Sequence, residues 1–189
     1  MKHLKNRNIA ILITAIAAFI SMQVCVRRST DRITNEIEAL FYDGIYVQQD
    51  KYTLPSINSQ LERIVATALN TATLLQSRSE FEESTELLLQ ERRNLLTAEG
   101  IDKKSLALAD INQAFHALVA AAFASTDLTA REIDAITQYL QTFEGAYTYI
   151  NTTLAPAYNS IVDDFHSERS ILAELVYRRS PDHFPISIC

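Results

Sequence analysis

The chain has 189 residues, with 17 basic and 23 acidic side chains, three Gly, four Pro and no Trp. Such a composition suits one helical domain with an attachment and leaves a β-rich fold short of turn residues. The first 28 residues hold five of the basic residues and no acid, so twelve basic against twenty-three acidic residues leave −11 on the rest. That acidic body excludes a nucleic-acid partner, because phosphate binding draws its free energy from clustered Lys and Arg.

From Asn8 to Val26 run nineteen residues without a charge, flanked by Lys2, Lys5 and Arg7 before and by Arg27 and Arg28 after. About twenty apolar residues span a bilayer core, so residues 8–26 are expected to form a membrane anchor. A signal-peptide cleavage at Ala15 and Ala17 would leave an apolar core of only nine residues, and Met22-Gln23-Val24 before Cys25 is a poor lipoprotein signal. A retained single-pass anchor is the expectation. The flanking charges tie, with Arg32 completing three after the segment, and only the α-amino group tips the balance toward a cytoplasmic N-terminus and an extracytoplasmic domain.

Ile33, Ile37, Leu40 and Phe41 then form an amphipathic stretch with no Gly or Pro, so the anchor helix is expected to run on to about Asp43 and stop at Gly44. Residues 45–55 read as a connecting loop, and Ser56 as the N-cap of a helix that buries Leu61, Ile64, Ala68, Ala72 and Leu75. Ser79 is a candidate cap for an acid-first helix with a buried row of Phe81, Leu88 and Leu95, ended by Gly100 as a left-handed cap. A fourth helix, from about Lys103 to Ala124, carries Leu108, Ile111, Phe115, Leu118 and Ala122 at three-four spacing.

The longest element runs from Asp127 to Phe165, about 55 Å if fully helical. Its apolar row is Ile133, Ile136, Leu140, Phe143, Tyr147, Ile150, Leu154, Ala157 and Ile161. Asp127, or Thr129 with Glu132 in a capping box, starts it. Pro156 removes a backbone hydrogen bond and is expected to kink or break the helix, after which the row shifts to Tyr158, Val162 and Phe165. Ile171, Leu172, Leu175 and Val176 continue an apolar face to about Arg179, and Ser180-Pro181 opens a tail with Phe184 and Pro185.

Short breaks between these segments predict an all-α, antiparallel up-down bundle of about four long helices behind an N-terminal transmembrane helix. The boundaries are an anchor over 1–28, a juxtamembrane helix and loop over 29–55, a bundle over 56–179 and a tail over 180–189.

Chemistry is scarce. Di-iron bundles need a Glu-x-x-His from each of two helices, and the nearest pattern here is a single Asp163-x-x-His166. Phosphate loops and nucleophile elbows are missing from the sequence, and neither Cys25 nor Cys189 has a His or second Cys at metal spacing. Phe143, Tyr147 and Tyr149 read as packing residues, His116 as exposed, and Arg92 as paired or snorkelling. No catalytic residue, cofactor or metal is expected.

Two patches carry a resemblance. Phe41-Tyr42-Asp43-Gly44 with Ser56-Ile57, Leu61 and Ala68, and later Tyr158-Asn159 with Val162 and Phe165, resemble the LemA-like family of anchored bacterial helical bundles. His166 stands where that family has a second Asn, no Phe-Pro follows it, and Glu62-Arg63-Ile64-Val65 replaces an Arg-rich block ending in Leu-Ile-Pro-Asn-Leu. The resemblance implies a bundle of the same architecture in a bacterial cell membrane, with no settled biochemical activity, and its usual topology places the N-terminus outside.

The expected function is therefore a membrane-anchored protein-interaction or scaffolding module, with self-association open. Tyr158, Asn159, Phe165, Phe41, Tyr42 and Gly44 are its candidate seam or interaction positions, and Asn159 is expected to hydrogen-bond another helix. The alternative is a small-molecule sensor with a pocket near Pro156 lined by Tyr147, Ile150 and Tyr158.

Overall fold

The structure is a computed structural model that describes residues 2–47, 51–168 and 181–185. Residues 171–176, read above as a further apolar face, lie outside the described residues. The chain is an all-α bundle. Helix α1 (Lys2–Asp43) leads into a hairpin of β1 (Ile45–Val47) and β2 (Tyr52–Leu54), followed by α2 (Ile57–Leu75), α3 (Glu82–Thr97) and α4 (Ile101–Ala124). Then α5 (Ala130–Tyr149) passes through a π-helical turn (Ile150–Leu154) into α6 (Ala155–Glu168).

The α2 helix lies between α3 and α5, and α3 packs along α4. Across the middle, Phe115 of α4 stacks on Phe143 of α5 with ring centroids 3.9 Å apart and ring planes within 3° of parallel, a face-to-face contact closer than the about 4.5–7 Å of most aromatic pairs. The expected rows of α2, α3 and α4 are all buried, from Leu61 to Leu75, Phe81 to Leu95 and Leu108 to Ala122. Three-four spacing confines each row to one face, and burial of that face drives the packing.

Helix α1 contains no Gly or Pro and is continuous from its apolar half into the bundle. Its first half leaves Ile11, Ile16, Phe19 and Val24 exposed, whereas Ile37 and Phe41 enter the core. Among the described residues two helices are apolar and long enough to cross a membrane, with a mean hydropathy of 1.6 in the most apolar stretch of Ile11–Asp43 and 1.4 in that of Ile101–Ala124. Burial separates them: none of the apolar window of α1 is covered, against 44% of that of α4, which is a core helix.

Several junctions differ from the sequence reading. Residues 45–55 are not simply a loop, since Ile45 pairs with Leu54 and Val47 with Tyr52 in an antiparallel hairpin. Ser79 caps nothing; it opens a short 3-10 turn, Ser79–Phe81. Gly100 adopts φ +95 and ψ 154, an extended mirror conformation before α4 and not a left-handed helical cap after α3. Ser56 does cap α2, accepting from the Ser59 N–H at 3.0 Å.

Pro156 neither ends the helix nor forces a gap. The turn before it widens by one residue, so that the Ala155 N–H bonds Ile150 O. A wide turn of this kind relieves the steric demand of proline and rotates the following face. Ile150, Leu154, Tyr158 and Val162 consequently form a fully buried row, while Ala157 and Ile161 slip to half-buried positions. The expected shift to Tyr158 and Val162 is present, and its cause is the added residue in the turn.

Thr129 and Glu132 close a reciprocal capping box at the start of α5. Arg78, at the α2–α3 corner, adds two bonds to the Glu132 carboxylate at 2.9 and 3.0 Å and one to Asp127 O at 3.0 Å. Bonds from the Thr129 hydroxyl and N–H, then Arg78, hold the Glu132 carboxyl at about 2, below its ordinary 4.5. The folded value is depressed, so this stabilisation is complete above about pH 4.5 and disappears as pH falls toward about 2. Glu132→Gln should lower the melting midpoint at neutral pH and flatten its fall between those two pH values; an unchanged acid limb in thermal melts would contradict the assignment.

Candidate functional site

Four of the six positions singled out in the sequence converge where α1 ends. Phe41 and Tyr158 are fully buried, with ring centroids 6.2 Å apart in an edge-to-face arrangement. Tyr42 lies half-exposed beside Phe41, with centroids 5.0 Å apart, and Asn159 is half-buried next to Tyr158. The helical period explains the meeting: Ile37 and Phe41 share one face of α1, and the wide turn before Pro156 aims Tyr158 and Val162 of α6 at the core.

The other two positions act differently. Gly44 is a backbone device, turning the chain from α1 into β1 at φ +96. Phe165 sits two turns beyond Tyr158, half-buried against the core, with its ring at 5.8 Å from that of His166.

The centre of the site is a contact that sequence reasoning missed. Among the described residues Asn159 hydrogen-bonds no other helix. Its Nδ2 donates to Phe184 O at 2.8 Å, and the Phe184 N–H donates to its Oδ1 at 2.8 Å, so one side-chain amide pairs with both polar groups of one tail residue. The next carbonyl along, that of Pro185, accepts from the Ser105 hydroxyl of α4 at 2.8 Å. The Phe184 ring is fully buried, 5.9 Å from Phe41, and Pro181 is buried as well. The segment Pro181–Pro185 thus lies across α4 and α6 with Phe184 as its anchor.

Charged groups rim this cleft. Lys104 Nζ lies 5.7 Å from the Phe41 ring centre and 5.5 Å from that of Tyr42, and it donates to Asn58 Oδ1 at 2.9 Å. Burial pushes its ammonium below the usual lysine value, partly countered by Glu62. On the far side His183 Nε2 lies 2.9 Å from Asp163 Oδ1, an ion pair whenever His183 holds its second proton, and the His166 ring stacks on His183 at 5.6 Å. The Asp163-x-x-His166 pattern is therefore spent on the tail. Burial, reinforced by the charges of Glu38 and Asp182, raises the Tyr158 phenol above its ordinary value, and its hydroxyl finds no hydrogen-bond partner among the described residues.

Together these features hold a stretch of tail backbone and one aromatic side chain. Among the described residues no group of three or more His, Cys, Asp or Glu is placed to hold a metal ion. Beside Pro156, Ile150, Leu154, Ala155 and Tyr158 are fully buried, and of the three surface hollows lined by described residues one is bounded by Thr148, Tyr149 and Thr152 just before the proline, while none takes in Tyr147, Ile150 or Tyr158. Asn151 spends its amide N–H on Tyr147 O, His116 is exposed, and Arg92 donates to Val65 O at 3.1 Å.

Phe184-Pro185 was visible as an aromatic-proline pair in a polar tail, and that was the available signal. Lys104 and Ser105 gave none. No family model matches the sequence, and no curated protein and no solved structure matches it either.

Proposed function

We propose that the chain is a membrane-anchored protein-interaction module of the LemA-like kind, without catalytic activity, held in a bacterial cell membrane with its bundle on the extracytoplasmic side. The carrying observation is the unbroken helix α1, bare and apolar from Ile11 to Val24 and built into the bundle core at Ile37 and Phe41. A helix without a break is stiff, so it fixes the bundle at a set height, about 16 Å of helix separating Val26 from Ile37. Such a mount serves a scaffold. The aromatic and Asn residues behind the family resemblance also meet in one cleft, which supports reading them as a recognition surface. Among the three hollows lined by described residues none takes in Tyr147, Ile150 or Tyr158, which supports this reading over a small-molecule sensor.

The anchor is tested by membrane extraction of the full chain. It should resist alkaline carbonate and require detergent, and Phe19→Arg should shift a large fraction into the carbonate supernatant, since a charge at mid-bilayer costs about 2.5–3.5 kcal/mol. Wild-type chain released by carbonate would dismiss the anchor. Proximity labelling from the bundle, read by side of the membrane, tests orientation and neighbours together; labelling confined to cytoplasmic proteins would reverse the orientation.

A further inference from the structure

We propose that the cleft between the end of α1, the start of α4 and α6 is a binding site for an extended segment of a partner protein bearing a basic residue, an aromatic and a proline in succession, and that His183-Phe184-Pro185 occupies it in cis. The proposal rests on the interaction-module reading above.

Three observations carry it. First, the hydrogen bonds to Phe184 and Pro185 are directed at backbone: Asn159 takes both groups of Phe184 and Ser105 takes the Pro185 carbonyl. Any extended segment offers the same groups, so these bonds supply affinity without fixing sequence, as in other modes of peptide recognition. Second, selectivity is supplied by neighbouring side-chain positions. The buried Phe184 ring against Phe41 selects an aromatic. A proline after it lacks the N–H that would otherwise need a partner, and it biases the aromatic residue before it toward extended backbone. Third, the rim is charge-complementary: Asp163 faces His183, so a Lys, Arg or protonated His before the aromatic gains an ion pair.

The walls belong to helices with a core of their own. Phe115 of α4, about 15 Å of helix beyond Ser105, stacks on Phe143 of α5, so the helices pack on one another away from the tail and the cleft is expected to outlast its occupant. Being tethered, the tail competes at an effective concentration on the order of millimolar, which masks the site from a free peptide until the tail is weakened.

The test uses the full chain in detergent micelles and a fluorescein-labelled hexapeptide, Pro-Asp-His-Phe-Pro-Ile, read by anisotropy. The Phe184→Ala chain should keep a cooperative helical melt and bind the peptide at least tenfold more tightly than wild type. A peptide with Ala in place of Phe should not compete, and Asn159→Leu added to Phe184→Ala should abolish binding. The proposal falls if the Phe184→Ala chain folds but binds no better than wild type, or if binding survives Asn159→Leu. It falls equally if Phe184→Ala loses its cooperative melt, which would make the tail a core element and not an exchangeable occupant. As a second measurement, wild-type chain that dimerises and is dissolved by the peptide would overturn the partner segment in favour of a second copy's tail. Micelle binding is blind to membrane context, so absent neighbours in the proximity labelling would sink the module reading and leave this result standing.

Discussion

Phe41→Ala should destabilise the chain by about 3–5 kcal/mol, the range for truncating a fully buried phenylalanine. Phe41 has no exposed surface and stands at the junction of everything that makes this end of the bundle: Tyr42 at 5.0 Å, Tyr158 at 6.2 Å, Phe184 at 5.9 Å and Lys104 at 5.7 Å. Its removal cancels burial, several aromatic contacts worth about 0.5–1.5 kcal/mol each, and a cation–π contact. The loss should not be spread evenly. Phe41 ties α1 to α6 and the tail, so the substitution should free the tail for peptide binding and detach α1 from the bundle before the bundle melts. Phe115→Ala, which opens a comparable hole between α4 and α5, should lower the urea midpoint without unmasking the cleft. A loss of unfolding free energy under about 1 kcal/mol in urea melts of Phe41→Ala, or equal unmasking by both substitutions, would refute this account.

How much of this was legible in the sequence depends on whether a feature leaves a period or a residue type behind. Buried rows do, because a helix of fixed pitch returns to one face every three or four residues; Ile64, Ala68 and Leu75, or Leu108 and Phe115, could therefore be placed. Caps do as well, since Ser56 and the Thr129–Glu132 pair supply side-chain groups that backbone N–H groups require. The hairpin does not. Strands of three residues are too short for alternation to declare itself against a loop background. Pro156 announced a disturbance, but a template of 3.6 residues per turn contains no π turn, so it could suggest a kink and a shifted row without the added residue that causes the shift. The Asn159–Phe184 contact was the least accessible. A side chain that binds backbone leaves no trace in its partner's identity, because every residue has the same backbone, and here the partners are 25 positions apart.

Gly44 makes the second large prediction: Gly44→Ala should cost about 3–5 kcal/mol, out of proportion to a single added methyl. Two effects combine at this position. The backbone sits at φ +96, where an L-residue is strained, and a Cβ built there would overlap the Leu54 carbonyl oxygen, with Ser56 N and Thr53 Cγ2 both at 3.3 Å. The Leu54 oxygen cannot easily give way. Leu54 is paired with Ile45 in the hairpin, and Ser56 caps α2 two residues later, so relief of the clash means unpairing the strands or losing the cap. Gly44 also returns its own N–H to Leu40 O at 3.0 Å, which closes the end of α1. Gly44→Asn separates the two effects, because asparagine tolerates positive φ better than alanine while carrying the same Cβ. If conformational strain alone were responsible, asparagine would recover most of the loss; if the Leu54 oxygen decides, both substitutions are equally damaging. The second result is expected. It should appear in urea midpoints and as faster amide exchange at Ile45 and Leu54, and recovery with asparagine would show that the hairpin can open to accept a side chain.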